Sequence, residues 1–198
     1  MGEILIVTIT AVIGVVGTLS AIWLKHKLEL NRIERNHECP IELCVTEDTL
    51  VLEQLRETLE QIHADRISIF SFHNGGHYYS GKSMQKMSMS YEQIDNGISS
   101  TMMAKQNIPV SACITTIQPL MDNGEFWCVD TKQYPDGLCK HHLLVDGVKS
   151  TYAWPIIDLH KNIIGILRVD YVKRKTTLKE EDTDLLKQLA LQLPGYLT

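Results

Sequence analysis

The clearest pattern of apolar and polar residues lies near the C-terminal end of the chain. Residues 150–158 and 163–171 are two runs rich in β-branched and aromatic side chains, and a Leu-His-Lys-Asn segment separates them. Such runs on both sides of a short segment predict two antiparallel strands joined by a turn. Four leucines then recur at helical spacing, which predicts an amphipathic helix that covers one face of the sheet. They are Leu185, Leu186, Leu189 and Leu193.

Polar residues ahead of apolar stretches predict where the helices begin. Thr177, with Glu180 three residues later, fits a capping box at the start of the C-terminal helix. Thr46 and Ser111 fit the cap position of two earlier helices, because a side-chain oxygen can accept from the free N–H groups of a first turn. We expect those helices, and a third, over residues 46–64, 111–117 and 136–145.

Three further strands are expected earlier in the chain, over residues 66–72, 86–92 and 125–130. The second of them alternates strictly, so Met87, Met89 and Tyr91 are expected on one face. Residues 98–110 show no clear pattern. Strands mixed with helices around one antiparallel sheet predict an α+β domain over residues 46–198.

The N-terminal region differs in composition from the rest of the chain. Residues 4–24 form an almost unbroken apolar run without a charged side chain, about the length that a helix needs to cross a bilayer. Met1-Gly2-Glu3 offers no basic stretch and no clean cleavage site follows, which favours an uncleaved anchor over a signal peptide. We therefore expect a transmembrane anchor over residues 1–25 and a charged helical stalk or linker over residues 26–45.

The charges that flank the apolar run predict its orientation. The only charged residue before the run is Glu3, and four basic residues follow the run, namely Lys25, Lys27, Arg32 and Arg35. Basic residues favour the cytoplasmic side, so we expect a single-pass membrane protein whose C-terminal domain lies in the cytoplasm. The five cysteines are odd in number and irregularly spaced. They favour a reducing compartment over a secreted disulfide framework.

The net charge and the missing motifs limit the classes of function. The formal net charge is −5, and the excess of acid lies entirely in residues 39–198. It argues against nonspecific nucleic-acid binding, which needs a basic surface. No Gly-x-Ser-x-Gly, supported Cys–His pair or phosphate-binding glycine loop is present, so no enzyme is expected. His37, Cys39 and Cys44 lack a fourth ligand at matching spacing, which favours a linker over a zinc site.

Residues 73–81 form the most unusual stretch of the chain. Adjacent glycines allow close approach of a ligand to the backbone, and imidazole, amide and phenol groups supply donors, acceptors and stacking faces. A small-molecule site is therefore predicted at this loop. Its candidate residues are His73, Asn74, Gly75, His77, Tyr78, Tyr79, Lys86 and Tyr91. The alternative is a wide structured hairpin with Asn74-Gly75 as its turn, and the sequence leaves both open.

Other polar side chains near the predicted sheet are weaker candidates. Arg168 and Asp170 fall on the same face of a strand because side chains alternate. Arg168 is a candidate ligand-binding residue, although an ion pair that neutralises both side chains is the favoured interpretation. His141 and His142 are expected to be a solvated pair.

Several short segments follow one another along the chain in a recognisable order. They are Asn123-Gly124-Glu125, Gly147-Val-Lys-Ser150, Trp154-Pro-Ile-Ile and Ile164-Gly-Ile-Leu-Arg-Val-Asp170. With these segments the chain resembles a GAF domain, a small-ligand-binding relative of PAS domains, over about residues 46–193. The segment Phe72-His-Asn-Gly75, which begins the hairpin between the strands predicted over residues 66–72 and 86–92, is similar to a motif in uncharacterised GAF-like proteins of bacteria and phages.

The resemblance implies a central antiparallel sheet of about five or six strands with the terminal helices on one face. A pocket roofed by the middle loops would lie on the other face, and members often dimerise through the first and last helices, so a homodimer is implied. The Asn-Lys, Phe and Asp-Glu pattern of cyclic-nucleotide-binding members is missing. Cys113, Cys128 and Cys139 do not fit bilin attachment. No known ligand or cofactor therefore carries over.

Together these patterns favour a membrane-anchored, cytoplasmic GAF-like domain that binds a small molecule or a protein partner. It would act as a sensor or regulator without catalysis. One alternative is a phage or prophage membrane protein, holin-like or a host-interaction factor, that uses the domain as an interaction module. Another is an enzyme that uses residues 73–79.

Overall fold

A computed structural model describes residues 20, 23–25, 27 and 41–197. The chain divides into two compact units, Met1–Thr46 and Glu47–Thr198. The helices and strands are, in chain order, α1 (Ile41–Gln61), β1 (Arg66–His77), β2 (Ser83–Ile94), β3 (Ile108–Pro109), α2 (Ile114–Asn123), β4 (Phe126–Cys128), α3 (Leu138–Val145), β5 (Ser150–Ile157), β6 (Ile163–Tyr171), α4 (Glu180–Gln192) and α5 (Pro194–Leu197). Short 3₁₀ turns lie at Met102–Ala104, Val110–Cys113 and Thr131–Gln133.

The strands of the described residues form one six-stranded antiparallel sheet, in the order β3-β2-β1-β6-β5-β4. This sheet and its flanking helices confirm the predicted α+β fold. The two long hairpins, β1–β2 and β5–β6, meet through β1 and β6 at the centre. There Arg66 pairs with Asp170 and Ser68 pairs with Arg168. The central pairing therefore joins residues about a hundred positions apart, and a local pattern cannot predict its register.

One face of the sheet packs against α1 and α4. Because side chains alternate along a strand, Ile69 of β1 and Leu167 of β6 point to this face, where both are fully buried. Leu55 of α1 joins the same apolar cluster. Three of the four leucines predicted for α4 are buried in it, and Leu185 packs against its rim. The predicted amphipathic helix is therefore confirmed.

The other face of the sheet is covered by the middle segment, which we define as residues 98–149. Phe70 and Ile166 point to this face and pack against Ile117 and Leu120 of α2. The middle segment consists of short helices, 3₁₀ turns and the edge strands β3 and β4. Polar side chains also lie between this segment and the sheet, among them Lys105, His142 and Arg168.

A β-bulge changes the predicted alternation of β2. The pairing of β1 with β2 shifts register at Ser90, which is the extra residue. Met87 and Met89 therefore face the middle segment, whereas Tyr91 packs against the apolar cluster of α1 and α4. The prediction that the three side chains share a face is wrong, because the bulge reverses the side-chain direction.

The predicted loop after residue 72 is largely strand. β1 and β2 remain paired as far as His77 and Ser83, and the tip is formed by residues 78–82. There the Gly81 N–H donates to the carbonyl of Tyr78 at 2.8 Å. The alternative turn at Asn74-Gly75 is therefore wrong, because those residues lie within β1.

Two helices begin later than their polar caps predict. α2 begins at Ile114, after a 3₁₀ turn that contains Ser111. α4 begins at Glu180, and no side chain caps it, so the capping box of Thr177 does not form. Two hydrogen bonds between β5 and Thr176 hold this approach segment instead: the Tyr152 hydroxyl donates to the Thr176 carbonyl, and the Thr176 N–H donates to Ser150 Oγ. Tertiary contacts thus override the local capping signal.

The N-terminal region is described only in part. The predicted membrane span over residues 4–24 and the stalk over residues 26–45 lie mostly outside the described residues. Within the described residues, no helix combines the length and the apolar character needed to cross a bilayer. α1 begins at Ile41, so Thr46 is not its cap. Thr46 Oγ1 instead donates to the carbonyl of Glu42 at 2.7 Å.

A disulfide joins the middle segment across two of its elements. Cys113 lies in a 3₁₀ turn and Cys139 lies in α3, with their Cα atoms 5.7 Å apart. Cys128 is a free thiol. The irregular spacing of the cysteines argues against a secreted disulfide framework, but it does not reveal this bond, because the fold brings together two cysteines that are 26 positions apart.

Candidate functional site

A small cavity lies between the sheet and the middle segment, on the face opposite α1 and α4. Its volume is about 50 Å³, which is room for a few water molecules. Most of its lining is apolar and comes from the central strands and from the middle segment, which forms the roof of the cavity. The apolar residues include Phe70, Met87, Ile108, Ile117, Leu143 and Ile166.

The positive members of two ion pairs line this cavity. Lys105 Nζ lies 2.9 Å from Asp146 Oδ2, and Arg168 Nη2 lies 2.9 Å from Asp170 Oδ2. Lys105 and Arg168 belong to the lining. Asp146 and Asp170 are not among the described residues that line the cavity. The cavity therefore presents two cations to its interior and keeps their counter-charges outside the lining.

The guanidinium of Arg168 is fixed on two sides and has unused hydrogen-bonding capacity. Its Cζ lies 4.7 Å from the ring centroid of Phe70, and Asp170 holds the opposite end. Nε of Arg168 is buried and makes no hydrogen bond within the described residues. A buried donor without a partner costs about 1–3 kcal/mol. An acceptor group brought by a ligand would remove that cost.

Asp170 is fully buried and organises the charges around the cavity. Its Oδ1 accepts a hydrogen bond from Thr151 Oγ1 at 2.7 Å. Its Oδ2 lies 3.6 Å from Arg66 Nη1, in addition to the contact with Arg168. The strand register creates this arrangement, because Arg66 of β1 and Thr151 of β5 are the direct partners of Asp170.

The same network reaches the turn that precedes Lys105. Arg66 Nε lies 3.0 Å from Glu92 Oε1, and Glu92 in turn accepts from the Thr101 N–H at 3.0 Å. Burial alone would raise the pKa of Glu92, but hydrogen bonds from Ser100 and Thr101, together with Arg66, hold it below its ordinary value. Glu92 is therefore ionised at neutral pH and anchors the segment that carries Lys105.

Helix α3 turns one face toward the cavity. Cys139, His142 and Leu143 line the cavity together, because residues three and four apart share a helix face. Burial and the neighbouring Lys105 lower the pKa of His142. The imidazole is therefore neutral at pH 7 and offers one donor and one acceptor nitrogen. The prediction of a solvated pair holds for the exposed His141 but is wrong for His142.

The candidate residues of the first hairpin are spread over both of its faces. His73 points to the same side as α1 and α4, and its Nε2 lies 2.9 Å from Ser88 Oγ. Asn74 points to the other side, where its Oδ1 accepts from the Gly76 N–H at 3.1 Å. Both side chains thus make contacts within the hairpin.

The remaining hairpin candidates form its outer end. A Cβ added to Gly75 would lie 2.6 Å from side-chain carbons of Lys86. The side chain of Lys86 can therefore cross the strand at this point because Gly75 has no side chain. His77, Tyr78 and Tyr79 are exposed. The predicted loop is thus a projecting hairpin with an aromatic tip.

Tyr91 and Arg168 lie on opposite faces of the sheet. The Tyr91 hydroxyl donates to Asp48 Oδ1 on the α1 side, where burial and that carboxylate raise the pKa of Tyr91 above its ordinary value. Of the predicted site residues, Arg168 alone belongs to the described lining of the cavity. Arg168 also forms the predicted pair with Asp170.

Sequence reasoning missed several residues that line the cavity. The sequence around Lys105 does not indicate a site residue, because residues 98–110 show no clear pattern. The position of His142 could have been predicted, since its spacing from Cys139 and Leu143 places the three on one face of the helix predicted over residues 136–145.

Comparison with known proteins identifies the fold. Residues 47–194 match the model of the GAF domain family. A similar solved structure is the blue-light absorbing form of the PixJ GAF domain of Thermosynechococcus elongatus. It has 15% identity and a TM-score of 0.60, with 78% of this chain and 85% of that chain covered.

Two further structures show the same likeness. A far-red absorbing dark state with bound biliverdin IXa has 15% identity and a TM-score of 0.54, with 79% of this chain and 96% of that chain covered. The GAF domain region of a Geobacter sulfurreducens protein has 18% identity and a TM-score of 0.57, with 77% and 93% covered. At these identities the likeness concerns the fold. No curated protein matches the chain.

Replacing Asp170 with alanine removes the anion that Arg66 and Arg168 share. We expect the free energy of unfolding to fall by about 3–5 kcal/mol, because buried guanidinium groups lose their counter-charge. Urea unfolding of the full chain, followed by circular dichroism, measures the change. Asp136→Ala is the matched control, since that side chain is 95% exposed, and its substitution should leave the free energy of unfolding nearly unchanged. Equal effects of the two substitutions would contradict the role given to Asp170.

Proposed function

The chain belongs to the GAF domain family, and on this basis we propose that it is a sensor or regulatory domain that binds a small anionic molecule. The binding site is the cavity between the sheet and the middle segment. Ligand occupancy changes the packing of the middle segment, and no chemical step on the ligand is involved. Two further parts of the proposal, a membrane anchor and self-association, rest on separate observations.

One observation carries the proposed ligand class. Lys105 and Arg168 line a mostly apolar cavity, whereas the described lining includes neither Asp146 nor Asp170. Hydrogen bonds to charged groups are roughly twice as strong as neutral ones. The planar guanidinium of Arg168 suits a carboxylate or a phosphate, and the apolar walls suit an aliphatic or aromatic body. We therefore infer a small organic anion.

The size of the cavity favours a ligand smaller than a bilin. One structure of similar fold contains biliverdin, but the cavity here is about 50 Å³ and has room for only a few waters. Cys113 and Cys139, which line it, are bonded to each other. A ligand of metabolite size would enter only when the roof moves, so we expect binding to be coupled to a conformational change.

A thermal-shift screen of the full chain in mild detergent, with small carboxylates and phosphates, tests the proposal. Stabilisation grows with ligand concentration as RT ln(1 + [L]/Kd). We expect Arg168→Gln to weaken the affinity for a stabilising anion by roughly tenfold to hundredfold, because a hydrogen bond to a charged group contributes about 1.5–3 kcal/mol. Arg174→Gln, at an exposed position, should leave the affinity unchanged.

Two results would contradict the cavity as the binding site. One is the absence of stabilisation by every anion tested. The other is an anion whose effect persists in Arg168→Gln and disappears in His73→Ala. That second outcome would favour the projecting hairpin, and with it the alternative of an enzyme that uses residues 73–79.

We also propose that residues 4–24 anchor the protein in a membrane, with the GAF domain in the cytoplasm. The support is the uncharged apolar run and the basic residues that follow it. C-terminal fusions to green fluorescent protein and to alkaline phosphatase in a bacterial host report the orientation. We expect fluorescence from the first and no phosphatase activity from the second. Active phosphatase in the membrane fraction would contradict the proposed topology.

A third proposal is that two copies associate through α1 and α4. The support is apolar exposure on these helices, where Leu50 is 42% and Leu191 is 75% exposed. Leu191→Glu should convert a dimer into a monomer, because a charge buried at an apolar contact costs several kcal/mol. Leu159→Glu is the control, since Leu159 is 99% exposed on the β5–β6 turn. Light scattering of the full chain measures the mass, and a monomeric wild type would contradict the proposal.

A further inference from the structure

The disulfide between Cys113 and Cys139 lies in the wall of the cavity. Cys113 ends the 3₁₀ turn before α2, and Cys139 lies in the first turn of α3. Both line the cavity, so their bond links two parts of its roof. We propose that this pair is a reversible thiol–disulfide exchange site for small thiols, and that its reduction opens the cavity. The exchange itself does not depend on the proposed function. Its effect on ligand entry does rest on the proposed function.

The two cysteines differ in exposure, and this difference gives the exchange a direction. Cys113 is 2% exposed, whereas Cys139 is only half-buried. A thiolate must reach one sulfur of a disulfide to attack it. The incoming thiol therefore attacks Cys139 Sγ, and Cys113 Sγ is the leaving group. The buried sulfur is released into the cavity that Lys105 and Arg168 line, where positive charge stabilises a thiolate.

The exchange balances with two equivalents of a small thiol, written RSH. In the first step the RS⁻ anion forms a bond with Cys139 Sγ, the Cys113–Cys139 bond breaks, and Cys113 leaves as the thiolate. In the second step another RS⁻ attacks the mixed disulfide, forms RSSR, and releases Cys139 as the thiolate. The two protons lost by the thiols protonate the two cysteines. The protein disulfide is reduced and the small thiol is oxidised; RSSR drives the reverse reaction.

The proposed compartment gives this pair its significance. Disulfides in a reducing cytoplasm are usually transient, catalytic or redox-sensing, whereas structural ones belong to oxidising compartments. If the domain faces the cytoplasm, as the basic residues after the apolar run predict, a disulfide in a ligand cavity is a switch element. The position of the pair in the cavity wall does not depend on that orientation.

Other contacts keep the roof attached after the bond is broken. The hydroxyls of Thr116 and Tyr134 hydrogen-bond to each other. Lys105 and Asp146 join the two ends of the middle segment through their ion pair. Reduction is therefore expected to loosen the roof locally and to leave the sheet and the terminal helices intact. Two sulfurs that are no longer bonded also move from about 2 Å to about 4 Å apart, which widens the wall.

A redox titration of the full-length wild type tests the exchange without any substitution. The protein is equilibrated with mixtures of reduced and oxidised dithiothreitol, quenched with iodoacetamide, and analysed by peptide mass spectrometry. We expect Cys113 and Cys139 to become alkylated together, with one midpoint, and to re-form their bond on return to the oxidised mixture. Cys128, which is already free, should be alkylated to the same extent in every mixture.

Hydrogen–deuterium exchange of the same samples tests the opening of the roof. The bond closes a loop between residues 26 positions apart, so its loss should speed exchange at residues 110–123 and 138–145 by on the order of a hundredfold. Exchange of β1, β6 and α4 should not change. Cys113→Ser/Cys139→Ser should exchange like the reduced protein under both conditions, and Cys128→Ser should behave like the wild type.

The possible failures are distinct. A pair that is reduced only when the whole domain loses protection, or that does not re-form, overturns the exchange site. Reduction without faster exchange in the roof overturns the opening. Anions that stabilise both redox states equally would also overturn the coupling, while the proposed anion binding would stand. A reversible titration with a loosened roof, but no anion binding in either state, supports the exchange site and contradicts the proposed function alone.

Discussion

A buried carboxylate in the central strand β6 determines how one face of this sheet is built. Asp170 is completely removed from solvent, and an ion in that position is stable only with opposite charges and hydrogen bonds around it. The register of β1 and β5 supplies Arg66 and Thr151 as its neighbours in the sheet. Arg168, two residues earlier on the same strand, supplies the third contact. The need to neutralise one charge therefore fixes two guanidinium groups.

The consequences of that constraint extend to the cavity. One fixed guanidinium, that of Arg168, lines it directly. The other, that of Arg66, contacts Glu92, which holds the turn that leads to Lys105. Both cavity cations thus depend on a network centred on Asp170. On the opposite face, α1 and α4 cover an apolar cluster that contributes stability. The sheet therefore separates an apolar structural face from a charged face with a cavity.

The parts of the fold that could be predicted are those set by local periodicity. The leucines of α4, the helix that became α3 and the two C-terminal strands follow from spacing alone. The bulge at Ser90, the register of β1 against β6 and the Cys113–Cys139 pair depend on contacts between distant segments, which no local pattern contains.

The candidate site was harder to predict than the fold, for the same physical reason. Arg168 was found because strand alternation is local, and Lys105 was missed because its position depends on Glu92 and β2. Unusual composition drew attention to residues 73–81, but the strands there pair with each other and end in an exposed tip. Composition indicates which groups are available, whereas the cavity depends on which groups the sheet brings together.

Methyl NMR of the full chain, labelled at isoleucine and methionine, would locate a bound anion most directly. Three of these residues, Met87, Ile117 and Ile166, line the cavity, whereas Met84 lies in the hairpin of β1 and β2. Binding in the cavity predicts that the first three signals shift on addition of a stabilising anion, while the signal of Met84 stays in place. A shift at Met84 with the three cavity signals unchanged would contradict the cavity as the site of function.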